Sequence, residues 1–290
     1  MNSYYTDIFK VDTHQHFWQL SRGDYHWLTP DFGTLYQDIL PDHLTQQLSK
    51  NGVSQTVLVQ AAQTEEETQF LLELASTCSF VGGVVGWIDL ESPTALTSLE
   101  HFTKNTYFKG IRPWLKDIDD AGWILKDKFT PIFELMSENH LTFDALITDI
   151  HLSNIQILAE RHPNLSIVIN HCAKPDLSQK LSDFWKSSLV NVGACANVCI
   201  KLSGLMTEAP KGKVSTEVLK PCFDHIMEVF GPDRILWGSD WPVLTLNGDY
   251  ESWVSLTNSL LREVSFEDAS KILAGNARTF YNLPLASLKK

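Results

Sequence analysis

Two histidines one residue apart close the first apolar run of the chain, in Asp12-Thr13-His14-Gln15-His16. On a strand, side chains at i and i+2 share a face, so both imidazoles point the same way, about 7 Å apart by strand rise. Paired imidazoles can bind a borderline cation such as Zn²⁺, or stabilise developing charge without one. With 10 His in 290 residues the spacing alone is weak evidence. Its meaning depends on what else the fold brings to the same place.

Short apolar, β-branched runs alternate with amphipathic stretches from end to end, the pattern of repeated βα units around a parallel sheet. Eight runs are present: Phe9 to His14, Gln55 to Gln60, Val81 to Ile88, Phe108 to Arg112, Leu141 to Leu146, Ser166 to His171, Cys199 to Ser203 and Arg234 to Gly238. Eight units in about 240 residues fit an α/β fold of the (β/α)8 barrel type, and residues 1–290 read as a single domain. A doubly wound open sheet is the competing fold. No G-x-G-x-x-G or Walker A sequence supports a nucleotide, so no organic cofactor is expected. Thr64-Glu65-Glu66-Glu67 reads as a capping box ahead of Phe70, Leu71 and Leu74. Gly231-Pro232 stops the helix that carries Phe223, Ile226, Met227 and Phe230. The long connection 17–41 is rich in aromatics (Phe17, Trp18, Tyr25, Trp27, Phe32, Tyr36) and is expected to fold over the barrel mouth as a lid, with a packed surface flap as the alternative. Thr207 to Ser215 reads as a mobile polar loop.

In such a barrel the C-terminal ends of the strands build the active site. The runs end in His14 and His16, Gln60, Arg112, Asp144, His171, Lys201 and Ser203, and lead finally to Ser239-Asp240. His14, His16, His171 and Asp240 suit one zinc-like divalent cation. They serve equally without a metal: Asp240 takes the proton of an attacking water while the imidazoles and Arg112 stabilise the oxyanion. Each has a plainer alternative, a hydrogen-bonded core histidine, a rim ion pair for Arg112, a helix cap for Asp240. Lys174 and Lys201 are weaker candidates, and Asp144 is placed to orient a His tautomer. There is no Gly-x-Ser-x-Gly elbow, and Cys172 beside His171 on a strand would face the opposite side, which argues against a thiolate–imidazole pair.

A net charge of −12 argues against a nucleic-acid footprint or docking on an anionic membrane. Met1 to Lys10 lacks a secretory pattern and no apolar stretch approaches membrane-spanning length, so a cytoplasmic protein is expected. Five cysteines without a C-x-x-C pair indicate neither a disulfide framework nor a zinc ribbon.

Over nearly its whole length the chain resembles the amidohydrolase superfamily, in the branch of sugar-lactone and dicarboxylate-lactone hydrolases that includes L-fuconolactonases, L-rhamnonolactonases and 2-pyrone-4,6-dicarboxylate hydrolases. The resemblance rests on Val11 to Trp18, Asp24-Tyr25-His26-Trp27-Leu28, Val57-Leu58-Val59-Gln60-Ala61, Gly86-Trp87-Ile88-Asp89, Gly110-Ile111-Arg112-Pro113, Asn170 to Pro175, Lys201 to Leu205 and Trp237 to Pro242. It implies water attack on a lactone carbonyl with Asp240 as general base, His14, His16 and His171 around it, and Arg112 as a substrate contact. Arg112 stands where the wider superfamily has a bridging Lys or Glu, and Asp144 where it has His. The binuclear centre therefore cannot be assembled, and one metal is the most expected.

A neutral sugar lactone would be held by Gln60, Lys174 and Ser203, with stacking on Trp27 or Trp114. A dicarboxylate would want several Arg. The expectation is a hydrolase opening a small-molecule aldonolactone to the free acid. The alternatives are a dicarboxylate-lactone hydrolase, a metal-dependent decarboxylase or C–N hydrolase, and a non-catalytic sugar-binding barrel. Oligomeric state is not encoded in any motif.

Overall fold

Eight parallel strands form where the apolar runs place them, in a computed structural model that describes residues 8–284. They are β1 (Lys10–Gln15), β2 (Val53–Val59), β3 (Val81–Gly86), β4 (Phe108–Ile111), β5 (Thr142–Ala145), β6 (Ser166–Ile169), β7 (Val198–Leu202) and β8 (Ile235–Trp237). Each is hydrogen-bonded to the next in chain order. The ring closes between its two ends, where Gln15 bridges Trp241, His16 N–H donates to Trp241 O at 2.8 Å and Asp240 N–H donates to His14 O at 2.7 Å. Sequential order and closure make this a (β/α)8 barrel and rule out the doubly wound sheet. Among the described residues no helix is long and apolar enough to cross a membrane.

Valines and one leucine from five strands (Val11, Val57, Val59, Val85, Val168, Leu236) meet inside the barrel. Ala274, Ala277, Tyr281 and Leu283 join them from the C-terminal segment. That segment sits against the beginnings of the strands: Gln55 and Lys109 donate to the carbonyls of Pro284 and Asn282. It therefore plugs the end of the barrel opposite the expected site, and sends Tyr281 upward into the interior. A larger apolar shell lies between the strands and the surrounding helices. The four most buried tryptophans, Trp18, Trp185, Trp237 and Trp253, belong to it, and each indole N–H donates to an oxygen.

The two long connections are less free than their composition suggests. Segment 17–41 is pinched at its base by a reciprocal pair of 2.9 Å hydrogen bonds between Trp18 and Ile39. Trp27 makes edge contacts with Trp18 and Phe32, and its indole donates to Ala61 O, just past β2. Aromatic packing thus docks it on the strand ends as a fixed flap. The stretch expected to be a mobile loop starts as a helical turn, Leu205–Glu208, and is then tethered by Asn247. That amide donates to Met206 O and Ala209 O at 2.7 and 3.0 Å and accepts from Gly212 N–H at 2.8 Å.

Helix Glu65–Thr77 starts as foreseen at Thr64, whose hydroxyl accepts from Glu67 N–H, but the reciprocal half of the capping box is missing. The Glu67 carboxylate instead accepts from Ala61 N–H and Ala62 N–H at 2.9 and 2.7 Å, fixing the chain that leaves β2. Burial drives Glu67 up to about 8 against those bonds, and Asp12, also buried, to about 6. A carboxyl raised in the folded state keeps a proton that the unfolded chain releases, so its contribution is complete below the unfolded value and is lost as pH rises towards the folded one. The buried histidines, whose own values are lowered, oppose this below about pH 7, so between about pH 7 and pH 9 stability should fall by about 1–2 kcal/mol, chiefly through Glu67, and then level off. Urea unfolding of the wild type and Glu67→Gln at both ends of that window checks this: the neutral variant should lose most of the slope, and an unchanged slope would assign it elsewhere.

Candidate active site

Asp12 ties the two sides of the barrel seam together. Its buried carboxylate accepts from Ser239 N–H at 2.8 Å, Ser239 Oγ at 2.5 Å, His14 N–H at 3.1 Å and Tyr250 OH at 2.9 Å. Those bonds brace the next residue, Asp240, whose backbone sits in the left-handed region at φ +63°. A non-glycine residue there costs about 1–3 kcal/mol and persists only where surrounding contacts hold it.

The strain places the Asp240 carboxylate beneath three imidazoles. Oδ1 lies 3.3 Å from His16 Nε2, 3.7 Å from His14 Nε2 and 3.8 Å from His171 Nε2. The His14 and His16 rings are 5.0 Å apart and edge-on. They converge more than a flat strand allows because the register of β1 slips between Asp12 and Gln15.

His171 arrives by a different route from the one the sequence suggests. Strand β6 ends at Ile169, and His171, Cys172, Ala173 and Lys174 form a left-handed turn with φ of +52°, +52°, +57° and +52°. Four L-residues in this region represent considerable strain. It is held by Trp185 Nε1 donating to Cys172 O at 2.9 Å, Cys172 Sγ bonding to Lys201 O at 3.2 Å, and Lys174 N–H donating to His171 O at 2.8 Å. His171 and Cys172 therefore do not sit on a strand, and the argument from opposite faces does not apply. The thiol is fully buried and burial raises its pKa, so it remains an inert core group.

Arg112 lies in the middle of the cluster. It donates to both the backbone O and the Oε1 of Gln60, the latter at 2.8 Å, and its Nη1 is 3.0 Å from His14 Nε2. Gln60 Oε1 also accepts from Trp114 Nε1 at 2.8 Å. Gln60 is fully buried, and Ser203, equally buried, lies with its hydroxyl 2.9 Å from His171 Nδ1. Both polar groups are thus engaged with site residues. Lys174, ion-paired with Glu208, is half-buried at the strand ends, as are Trp27 and Trp114. Asp144 contacts no histidine: it pairs with Lys201 at 2.6 Å, and Lys201 Nζ is 3.2 Å from His14 Nδ1. The sequence reading gave Asp12 and Glu67 no part in the site and Lys201 only a weak one. For Asp12 and Lys201 the local signal was a charged residue inside an otherwise apolar run, whereas Glu67 stood among the acidic residues of a helix start.

Burial pushes the Asp240 carboxyl up, but His171, His16 and Lys174 outweigh it and hold it below the usual carboxylate range. Burial lowers all three imidazoles, His171 to about 3 and His14 well below its usual range, with Lys201, His171 and Arg112 adding to the effect on His14. Burial also lowers Arg112, to about 10, which leaves it charged. At neutral pH the centre therefore contains one carboxylate, one guanidinium and three neutral imidazoles.

His16 Nδ1 lies 2.8 Å from Val59 O, so a neutral ring donates there and turns the Nε2 lone pair towards Asp240 Oδ1. Two acceptors facing each other at 3.3 Å call for a cation or a shared donor between them. Among the described residues one group of metal-ligating atoms is close enough, those of His14, His16 and Asp240, all within 4.8 Å of one another. They fit one borderline divalent cation, with His171 outside the group.

Gly204 follows Ser203 at φ +67°, and a Cβ there would fall 2.4 Å from His171 Nδ1. Gly204→Ala should displace the imidazole, lowering turnover about 10²-fold through misplacement of the site while stability falls by about 1–3 kcal/mol. Steady-state kinetics beside a melting curve checks this, and a wild-type rate would mean that His171 placement is not critical.

The sequence profile of the amidohydrolases matches residues 11–283. The chain is 38% identical over 279 residues to an L-fucono-1,5-lactonase of Burkholderia ambifaria, covering 95% of this chain and 96% of that one. It is 32% identical to an L-fucono-1,5-lactonase of Burkholderia multivorans, with 95% and 96% covered. A crystal structure of an amidohydrolase from Burkholderia multivorans with bound Zn superposes with a TM-score of 0.90 at 32% identity, covering 95% of this chain and all of that one. Strand order, the seam-held Asp240 and these matches agree, and the chain belongs to the amidohydrolase family.

Proposed function

We propose that this protein is a lactonase that opens a neutral sugar lactone to the free aldonic acid. The observation that carries the reading is Asp240 Oδ1 lying 3.3–3.8 Å from three neutral imidazoles, with one guanidinium against His14. A buried carboxylate that stays ionised is a suitable acceptor for the proton of a water attacking a carbonyl. Arg112 and His14 stand together as donors for the oxygen that gains charge. The proton taken by Asp240 then returns to the ring oxygen as the C–O bond breaks, which leaves a hydroxy acid and regenerates the base. If a divalent ion binds, His14, His16 and Asp240 would hold it, and it would supply Lewis-acid polarisation of the carbonyl. Lys174 at the rim and the faces of Trp27 and Trp114 are available for the hydroxyls and carbon face of a sugar.

The lactonases similar to this chain act on L-fucono-1,5-lactone by name. Arg112 is the one arginine that bonds to a cluster residue among the described residues, where a dicarboxylate would call for more. A net charge of −12 also disfavours a strongly anionic substrate. A panel of six-carbon sugar lactones and dicarboxylate lactones, followed by a pH indicator with and without chelator, tests the substrate class. Turnover of neutral lactones is expected, and activity confined to dicarboxylates would replace this assignment.

Asp240→Asn should lower kcat about 10³–10⁴-fold with the fold retained. In the wild type the base must be ionised, so activity falls as pH drops through the Asp240 pKa, and the depressed value puts that limb below the ordinary carboxylate range of about 4. A pH–rate profile with its acid limb near 6.5 would instead mark an imidazole as the base.

A further inference from the structure

Among the described residues, Arg112, Lys174 and Lys201 bring positive charge to the cluster, and each is committed to a partner in the protein. Arg112 donates to Gln60, and Lys201 pairs at 2.6 Å with Asp144, which also accepts from Tyr281 OH at 2.9 Å. Both cations are buried. Lys174 differs in standing at the rim. Its charge reaches Asp240 and His171, yet its ammonium is ion-paired with Glu208, the two side chains being 27% and 17% exposed. Glu208 ends the helical turn Leu205–Glu208 that follows β7. No motif points to it, and the reaction outlined above does not use it. We propose that Glu208 is a specificity-determining residue: by occupying Lys174 it withholds a rim cation that a substrate carboxylate would otherwise reach, and so restricts the site to neutral lactones.

A carboxylate on a substrate gains affinity where a cation can turn to meet it. Arg112 cannot turn without leaving Gln60 O and Gln60 Oε1, and Lys201 is enclosed below His14 with Asp144 Oδ2 and Thr13 O at 2.6 and 2.9 Å from its Nζ. Lys174 has the flexible stem to turn, but Glu208 holds it. That hold is built into the backbone. Leu177 N–H donates to Glu208 O at 3.3 Å, joining the two segments that carry the pair. Thr207 Oγ1 donates to Gly204 O at 2.9 Å within the turn, and Asn247 anchors it at Met206 O and Ala209 O. An exposed ion pair counts for little because water screens it. This pair is largely withdrawn from water, so both its own attraction and the repulsion of Glu208 for a second anion are stronger. An anionic lactone would meet the carboxylates of Glu208 and Asp240 and a rim cation already neutralised. A sugar hydroxyl meets no such penalty, since it can accept from Lys174 or donate to a carboxylate oxygen. Rejection of a wrong substrate by an unfavourable charge needs no added contact with the right one.

This inference rests on the lactonase reading, and a matched pair of probes tests it. D-glucono-1,4-lactone and D-glucaro-1,4-lactone share ring and stereochemistry and differ at C6, a hydroxymethyl in one and a carboxylate in the other. In the wild type the carboxylated lactone should have a kcat/KM about 10-fold or more below the neutral one, with the difference in KM. Glu208→Gln keeps the shape and frees Lys174, so the ratio of carboxylated to neutral kcat/KM should rise about 10-fold or more, again through KM. Lys174→Met with Glu208→Gln removes both charges and should lose that gain, because the capturing cation is gone. A purely structural role for the pair would move the melting temperature and the kcat of both lactones together and leave the ratio alone. A folded Glu208→Gln whose ratio stays within about threefold of wild type overturns the proposal, as does a gain that survives in the double variant. If Glu208→Gln does not fold, the wild type decides, and equal kcat/KM for the two lactones overturns it. For a lactone that binds without turnover, the dissociation constant from calorimetry takes the place of KM, with the same ratios expected. Failure of the wild type to open any lactone would sink the proposed function and leave those dissociation constants to decide the role of Glu208.

Discussion

The Asp12 carboxylate is the constraint on which the rest of the site depends. A barrel has to join its last strand to its first, and here the join is a buried acid accepting four hydrogen bonds from both sides of the seam. Burying a charge is costly unless its acceptor sites are filled. Filled as they are, the same bonds that offset desolvation fix His14 on one side of the seam and Ser239 on the other. Asp240 inherits its left-handed backbone from that geometry, because the Ser239 amide before it and its own amide are both committed.

The left-handed turn from His171 to Lys174 repeats this logic across the barrel. Neither it nor Asp240 adopts a backbone that its sequence prefers locally, and each is overruled by buried partners: the Trp185 indole and Lys201 carbonyl for one, Asp12 for the other. Strain of this kind concentrates where side chains must converge from different elements. In the centre Asp144 is paired with Lys201, while Asp240 faces three neutral imidazoles and feels the Arg112 charge without touching it. A buried carboxylate therefore stays ionised among histidines that remain neutral.

Much of this was legible in the residues. Short apolar runs rich in β-branched side chains located all eight strands, and the polar residues that end or follow those runs include His14, His16, Arg112, His171 and Asp240, which the fold brings together. The detail beyond the runs was not legible. The end of β6 was placed two residues late, because a left-handed turn of four non-glycine residues has no sequence signature. Glu67 matched a capping box, but the backbone leaving β2 offered it better donors than its own helix did. Gln60 and Ser203 read as substrate contacts from their place at strand ends, with no sign of which site residues they bond to. Only the three-dimensional placement shows Gln60 bound to Arg112 and Ser203 beside His171. The polar interior through Tyr281 joins residues far apart in the chain, and no local pattern could have assembled it.

The central claim is that Asp240 activates water and does not itself attack the lactone. A single turnover with enzyme in excess over lactone, run in H₂¹⁸O and read by mass spectrometry, separates the two. The account predicts label in the carboxylate of the product from the first turnover and none in the peptide containing Asp240. Unlabelled product together with label in Asp240 would show attack by the carboxylate, and label on the released hydroxyl would show cleavage of the wrong bond; either contradicts it.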